Sequence, residues 1–225
     1  MNEQILDQNT ERQHLTLGIV LTQIWVKPKT IFQQIEHNKF GQGLFLLAGL
    51  LGFYGAVIFG HSVEGDLNIQ PLSHFLWVLA RCFLIGFPLG IGILFLFSAI
   101  IGSACQNWGG IGGTRNSLRA LVYGGIPLLV SFLLLMVQIL VEQHGLLLES
   151  FDGEQSAGVL FVFLYILKLC FKILIIWAAL LIITGLSVIH NIHFAYSILS
   201  LFISSIVTIW IIVVVFMVFV GYLDG

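Results

Sequence analysis

Long apolar blocks separated by short polar loops run from Gly41 to Leu223. Five can be delimited: Gly43–Gly60, Leu72–Ala104, Leu118–Val141, Ala157–Ile189 and Phe194–Leu223. Each approaches or exceeds the ~20 apolar residues that a helix needs to cross a bilayer. The pattern predicts an all-α membrane protein with five transmembrane helices. The second and fourth blocks are longer than the ~30 Å of hydrocarbon requires, so their helices must project, tilt or bend.

The residues before the first block follow a different pattern. Residues 1–16 read as a polar, mobile tail. Residues 17–40 hold an apolar run, Leu17–Val26, too short to span, and then Pro28, which suits the first turn of a new helix. After Pro28, Ile31, Phe32 and Ile35 fall on one face, with Gln33, Gln34 and Glu36 opposite. Trp25, Lys27, Lys29 and Lys39 are residue types found at lipid headgroups. With Pro28 and Phe32 they make residues 17–40 an interfacial amphipathic segment; a helical cap packed on the bundle is the other reading. Residues 41–225 form the membrane domain.

Composition agrees with this pattern. Charged residues make up 9% of the chain, against about a quarter in soluble domains, which places it in the membrane class. No basic stripe points to nucleic acid. Cys82, Cys105 and Cys170, in or beside apolar blocks, form no disulfide framework. The N-terminus shows no cleavable signal pattern, so the first span is expected to act as its own insertion signal.

Charge then orients the bundle. Arg12, Lys27, Lys29 and Lys39 precede the first span, and Arg115 and Arg119 flank the second-to-third loop. The other two main loops carry Glu64, Asp66, Glu142, Glu149, Asp152 and Glu154 and no Lys or Arg. By the positive-inside rule the N-terminus is cytoplasmic, and five spans put the C-terminus outside. Three cations interrupt the blocks: Arg81, Lys168 and Lys172. They either snorkel at the outer interface or lie deep, where an intramembrane charge marks a functional site. If interfacial, they leave Leu72–Ala80 and Ala157–Leu167 protruding. If gathered together, they suit an anion or a lipid headgroup, and equally structural ion pairs with Glu64, Glu142 or Glu154, which is the commoner outcome.

Small residues mark helix contacts. Ala48, Gly52, Ala56 and Gly60 recur every four residues and form a packing face. Ser197, Ser200, Ser204 and Thr208 form a second such stripe. Gly86 and Pro88, and Gly124, Gly125 and Pro127, predict kinks in the second and third spans. Broken helices in two neighbouring spans also point, weakly, to transporter sites.

Catalytic signatures are absent. His190 and His193 lack the glutamate and spacing of HExxH. His61, His74 and His144 fall on the outer side with acids, which leaves a metal site there as a minor alternative; no metal or cofactor is expected. The GGIGG loop lacks the Lys-Ser/Thr ending of a phosphate-binding loop and reads as a flexible connection. No Asp, Glu or His stands in mid-span as acid, base or proton relay, so the chain reads as no enzyme.

Three segments in order carry a family resemblance. IWVKPKTIFQQI resembles a W-x-x-P-x-x-x-F-x-x-I entry before the first span. GGTRNSLRALVYGGIP resembles a Gly-rich turn, basic residues and Y-x-x-x-P in the third. IWAALLIITGLSVIHNIHFAYSIL resembles the Trp, Gly-Leu and His of the fourth span and its following turn. Over Trp25 to Leu199 the chain resembles bacterial members of the Yip (Ypt/Rab-interacting protein) family. Phe194 departs from the pattern, where relatives often carry lysine. The resemblance implies five spans, a cytoplasmic N-terminus and an external C-terminus. Eukaryotic relatives associate with small GTPases and with one another; bacterial members look like accessory membrane proteins, some beside ABC-type exporters.

The expected protein is therefore a non-enzymatic, multi-pass protein of the bacterial inner membrane. Its expected partners are the lipid bilayer and either itself or other membrane proteins, as scaffold or accessory subunit. The alternative is a transporter or lipid-binding protein that receives an anionic group at Arg81, Lys168 and Lys172.

Overall fold

A computed structural model describes residues 15–63, 72–144 and 154–223. Among these residues the chain is helical, with no strand. The polar tail before Leu15, most of the acidic-loop residues and the final two residues lie outside that description, as do the side chains of Glu142 and Glu154 and those of His61, His74 and His144.

Two short helices come first. In α1 (Leu17–Gln23), the Thr16 side chain caps the Ile19 N–H. Pro28 opens α2 (Pro28–His37), where its missing donor costs nothing. The α2 C-terminus closes on Lys39 in the left-handed region, φ 48°, and Phe40 N–H returns to the Ile35 carbonyl. Gly43, φ 70°, then turns the chain into α3 (Leu44–Val63).

The remaining helices are long. α4 (Leu72–Asn107) has 36 residues and α7 (Glu154–His190) has 37, which makes each about 55 Å long at 1.5 Å per residue. Between them, α5 (Thr114–Gly124) and α6 (Ile126–His144) form one interrupted helix. α8 (Phe194–Leu223) matches the fifth apolar block. Four stretches are long and apolar enough to cross a membrane: Leu76–Asn107, Thr114–Ile139, Phe161–His190 and Phe194–Val214. The apolar run in the remaining block, Leu44–Gly60, is shorter.

The small-residue face of α3 finds its neighbour inside the chain. α3 and α4 make the most extensive helix pair. Gly52 lies directly on Gly90; a Cβ on Gly52 would come within 2.5 Å of the Gly86 carbonyl oxygen, and one on Gly86 within 2.5 Å of the Ala56 Cβ. A Cβ on Gly60 would lie 3.7 Å from Cys82 Sγ. Ala48 is buried in the core. Close backbone approach of this kind gives van der Waals attraction in lipid, where no hydrophobic force drives helices together. The face thereby packs on α4 within the chain, and Gly52, Ala56 and Gly60 stay partly exposed beside the seam.

The two expected kinks differ. α4 runs unbroken past Pro88. The helix formed by α5 and α6 breaks at Gly125, whose N–H bonds back to Leu121 while its carbonyl accepts from Leu128. Pro127, just after the break, needs no helical donor. A Cβ on Gly124 would meet the Ile182 backbone at 2.8 Å, and one on Gly125 the Leu51 side chain at 2.9 Å. The glycine pair thus admits α7 on one side and α3 on the other.

Packing is uneven along the bundle. The main core joins α1, α2, the first turns of α3, the last turns of α4, α5 and the last turns of α7. A smaller cluster, Tyr54, Leu135 and Ile139, lies between α3 and α6. Away from the main core, most of the α7 side chains from Phe161 to Lys172 are exposed.

Candidate functional site

The α1–α2 segment is bound to the bundle. Ile31, Phe32 and Ile35 are fully buried, and Phe32 lies so close to α7 that a Cβ on Gly185 would meet its ring at 2.8 Å. The face expected to enter lipid is covered by protein, so Phe32 anchors α2 to α7. Trp25, in the turn after α1, is half-buried, and its indole N–H donates to the Leu21 carbonyl of α1 at 2.9 Å. Pro28 is half-buried, whereas Lys27, Lys29 and Lys39 are exposed.

Beneath this cap lies a buried polar cluster that pattern reading did not find. The Arg119 guanidinium, 3% exposed, donates to Asn116 Oδ1 at 3.0 Å and to the Lys39 carbonyl. Tyr123 Oη donates to the Gln42 carbonyl at 3.0 Å. Both bonds hold the α2–α3 connection on α5. A lysine in the left-handed region is strained; capture of its carbonyl by a charged donor offsets that strain. Ser117 Oγ lies 2.8 Å from His190 Nε2, and both residues are fully buried.

The glycine loop after α4 covers this pair. Ile111 N–H donates to the His190 carbonyl at 3.1 Å, Gly110 N–H to the Cys105 carbonyl at 2.9 Å, and Gln106 Nε2 to the Gly112 carbonyl at 3.3 Å. A Cβ on Gly112 would fall 2.6 Å from His190 Nδ1. The expected flexible connection is instead a fixed lid, and its glycine permits contact with the imidazole.

The three cations singled out in the sequence share a level but not a site. All are exposed. The Gly52–Gly90 and Gly60–Cys82 approaches set the α3–α4 register and put Arg81 beside the C-terminal end of α3. The Gly124–Ile182 and Ser117–His190 contacts set that of α7, and Lys168 and Lys172 then fall beside the Leu134–Gln138 turn of α6. The Tyr54–Ser131 contact, 3.0 Å between oxygens, brings that turn level with the same end of α3. Yet α7 packs on α2, α5, α6 and α8, without substantial contact to α4. The cations form a belt at the end of α3 remote from the cap.

Of the three, Arg81 lines a groove between α3 and α4, and Lys168 and Lys172 do not. This groove of about 790 Å³ runs between α3, α4 and the α5–α6 break. Its lining includes Gly55, Phe59, Ile85, Leu89, Leu94 and Phe97, and Arg81 is its single charged residue among those described. Comparison with family models finds no match, and comparisons with curated proteins and with solved structures find none either. The site therefore rests on its own geometry: a capped, tightly bonded end, a basic belt, and an apolar groove joining the belt to the interior.

The four small hydroxyl residues of α8 complete the polar set. Ser197, Ser200 and Ser204 are fully buried, and Thr208 nearly so. Ser200 faces the Cys105 thiol, and Trp108 stacks on Tyr196 with centroids 4.9 Å apart. They sit where α8 packs on α4 and α7, the role expected of such a stripe.

Proposed function

We propose that this chain is a Yip-type integral protein of a bacterial cytoplasmic membrane, with α3 as its fifth span, the N-terminus inside and the C-terminus outside. It works without catalysis, as a scaffold or accessory subunit of a membrane assembly such as an ABC-type exporter. α3 has 20 residues, and a helix of that length matches the ~30 Å hydrocarbon layer. Its two ends then stand at the two headgroup levels, one beside Arg81 and one beside the α1–α2 cap. The cap end carries Lys27, Lys29, Lys39, Arg115 and Arg119 against Glu36, the basic bias expected beside the anionic cytoplasmic leaflet.

One observation carries the assembly reading. α7 continues beyond the basic belt from Leu167 back to Glu154, about 20 Å, and α4 from Ala80 back to Leu72, about 13 Å. In these extensions Trp77 is 61% exposed, Phe161 72% and Tyr165 63%. Acyl chains end at the belt, so they do not cover these side chains. Large apolar surfaces outside lipid call for protein cover. A photo-crosslinking residue placed at Tyr165 or Trp77 in native membranes should yield a discrete adduct with a second copy or another protein. Adducts with lipid alone, at both positions, would remove the support for assembly.

A further inference from the structure

We propose that the α3–α4 groove holds one anionic phospholipid, its acyl chain along the groove and its phosphodiester on Arg81. Three observations point to that occupant. The lining is apolar except at Arg81, and no acid is among the described lining residues to neutralise it. The charge stands at the headgroup end, beside the C-terminus of α3, so a lipid seated in its normal orientation brings its phosphate to the guanidinium. From Arg81 to Phe97 the lining extends along α4 for about 24 Å, more than the ~15 Å of one leaflet's hydrocarbon. Its volume falls within the range of ligand-binding clefts.

Glycines keep the groove open. A Cβ on Gly55 would meet nothing within 4 Å, so this exposed lining position looks onto empty space. Arginine suits the head end because its fork matches phosphate oxygens in bidentate fashion. Lys168 and Lys172 share the level but line no part of the groove, and they serve as an internal control. The proposal shares with the assembly reading only the level of Arg81, and crosslinking at Tyr165 reports on assembly separately.

The test uses the full chain, purified in a mild non-ionic detergent. It is exposed to mixed micelles of phosphatidylglycerol, phosphatidylcholine and free fatty acid, and bound molecules are counted by native mass spectrometry. One phosphatidylglycerol per chain is expected, retained about 10-fold or more over phosphatidylcholine. Arg81→Gln should abolish that preference, a change of about 10-fold, while Lys172→Gln keeps it. Gly55→Phe should lose both phospholipids with an unchanged unfolding midpoint. If Gly55→Phe fails to fold, Leu89→Trp, at an exposed lining position, carries the same expectation. Equal retention of the two phospholipids by the wild type, an unaffected Arg81→Gln, equal damage from Lys172→Gln, or retention of fatty acid in place of phosphatidylglycerol overturns the proposal.

Discussion

The α3–α4 contact offers a sharp test, because two glycines of one helix turn face opposite surroundings. Gly90 lies on Gly52: a Cβ there would come within 2.9 Å of the Gly52 nitrogen and 3.2 Å of its carbonyl carbon, and closer still to its Cα. Ordinary contact begins near 3.4 Å. Backbone atoms cannot swing aside as a side-chain tip can, so Gly90→Ala must part the two helices. A gap of roughly 0.5–1 Å forfeits a quarter to a half of each dispersion contact along the seam. Overpacking of this kind costs about 1–3 kcal/mol, offset by at most about 1 kcal/mol of gained helix propensity. Two residues on, a Cβ at Gly92 would meet nothing within 4 Å. Gly92→Ala therefore keeps the propensity gain alone, about 0.5–1 kcal/mol. The two variants should differ by about 2 kcal/mol, or roughly 4–8 °C in unfolding midpoint for a chain of this size. Thermal unfolding of both in one mild detergent, followed by circular dichroism, measures the split. Equal midpoints, or a less stable Gly92→Ala, would refute the backbone-contact argument.

Other substitutions test the capped end and the topology. Ser117→Ala leaves His190 buried without its hydroxyl partner and should cost about 1–3 kcal/mol, whereas replacing both by apolar residues should recover most of the loss; unfolding measurements on single and double variants decide this. Arg119→Lys replaces a planar fork by a point charge and should lose the bond to Asn116 or to the Lys39 carbonyl, at about 1.5–3 kcal/mol. Limited proteolysis between α2 and α3 should then accelerate, and an unchanged cleavage rate would argue that the clamp is idle. Phe32→Ala opens a cavity against Gly185 and should cost about 3–5 kcal/mol, measured by the same unfolding assay. A cysteine at exposed Gln33, with the native cysteines replaced, should react with a membrane-impermeant maleimide in inverted vesicles and stay unreacted in intact cells. The reverse result would invert the proposed orientation.

Much of the architecture was legible because hydrophobic length and small-residue spacing are local signals. The fifth block and α8 coincide, and Gly52 of the Ala48–Gly60 stripe lies against Gly90. The Gly124–Gly125–Pro127 signal located a true break, while Pro88 alone did not interrupt α4. The missed features depend on distant partners. Arg119 reads as a loop-flanking charge until the carbonyl of Lys39, 80 residues away, receives it. His190 reads as a stray histidine until Ser117, 73 residues away, meets its ring. A local hint existed: Arg119 is a lone cation inside LRALVY. The amphipathic pattern of α2 defined its apolar face correctly but could not name what covers it, because lipid and the glycine-notched surface of α7 ask for the same residues. The shared level of Arg81, Lys168 and Lys172 needed the helix registers, which block lengths do not determine.

The position of Phe32 against Gly185 has a consequence for biosynthesis. The cap leaves the ribosome about 150 residues before the helix that receives it. At 5–20 residues per second that delay lasts about 8–30 s. The Arg119 clamp also arrives late, after α3 and α4. Throughout this interval Phe32 lacks the α7 surface that covers it, and the apolar face of α2 can meet only the earlier-made parts of the core in α1, α3, α4 and α5. The amphipathic face of α2 is thus completed in two stages, against the earlier helices of the core first and against α7 last. Docking of the cap becomes the late event that closes the assembled bundle.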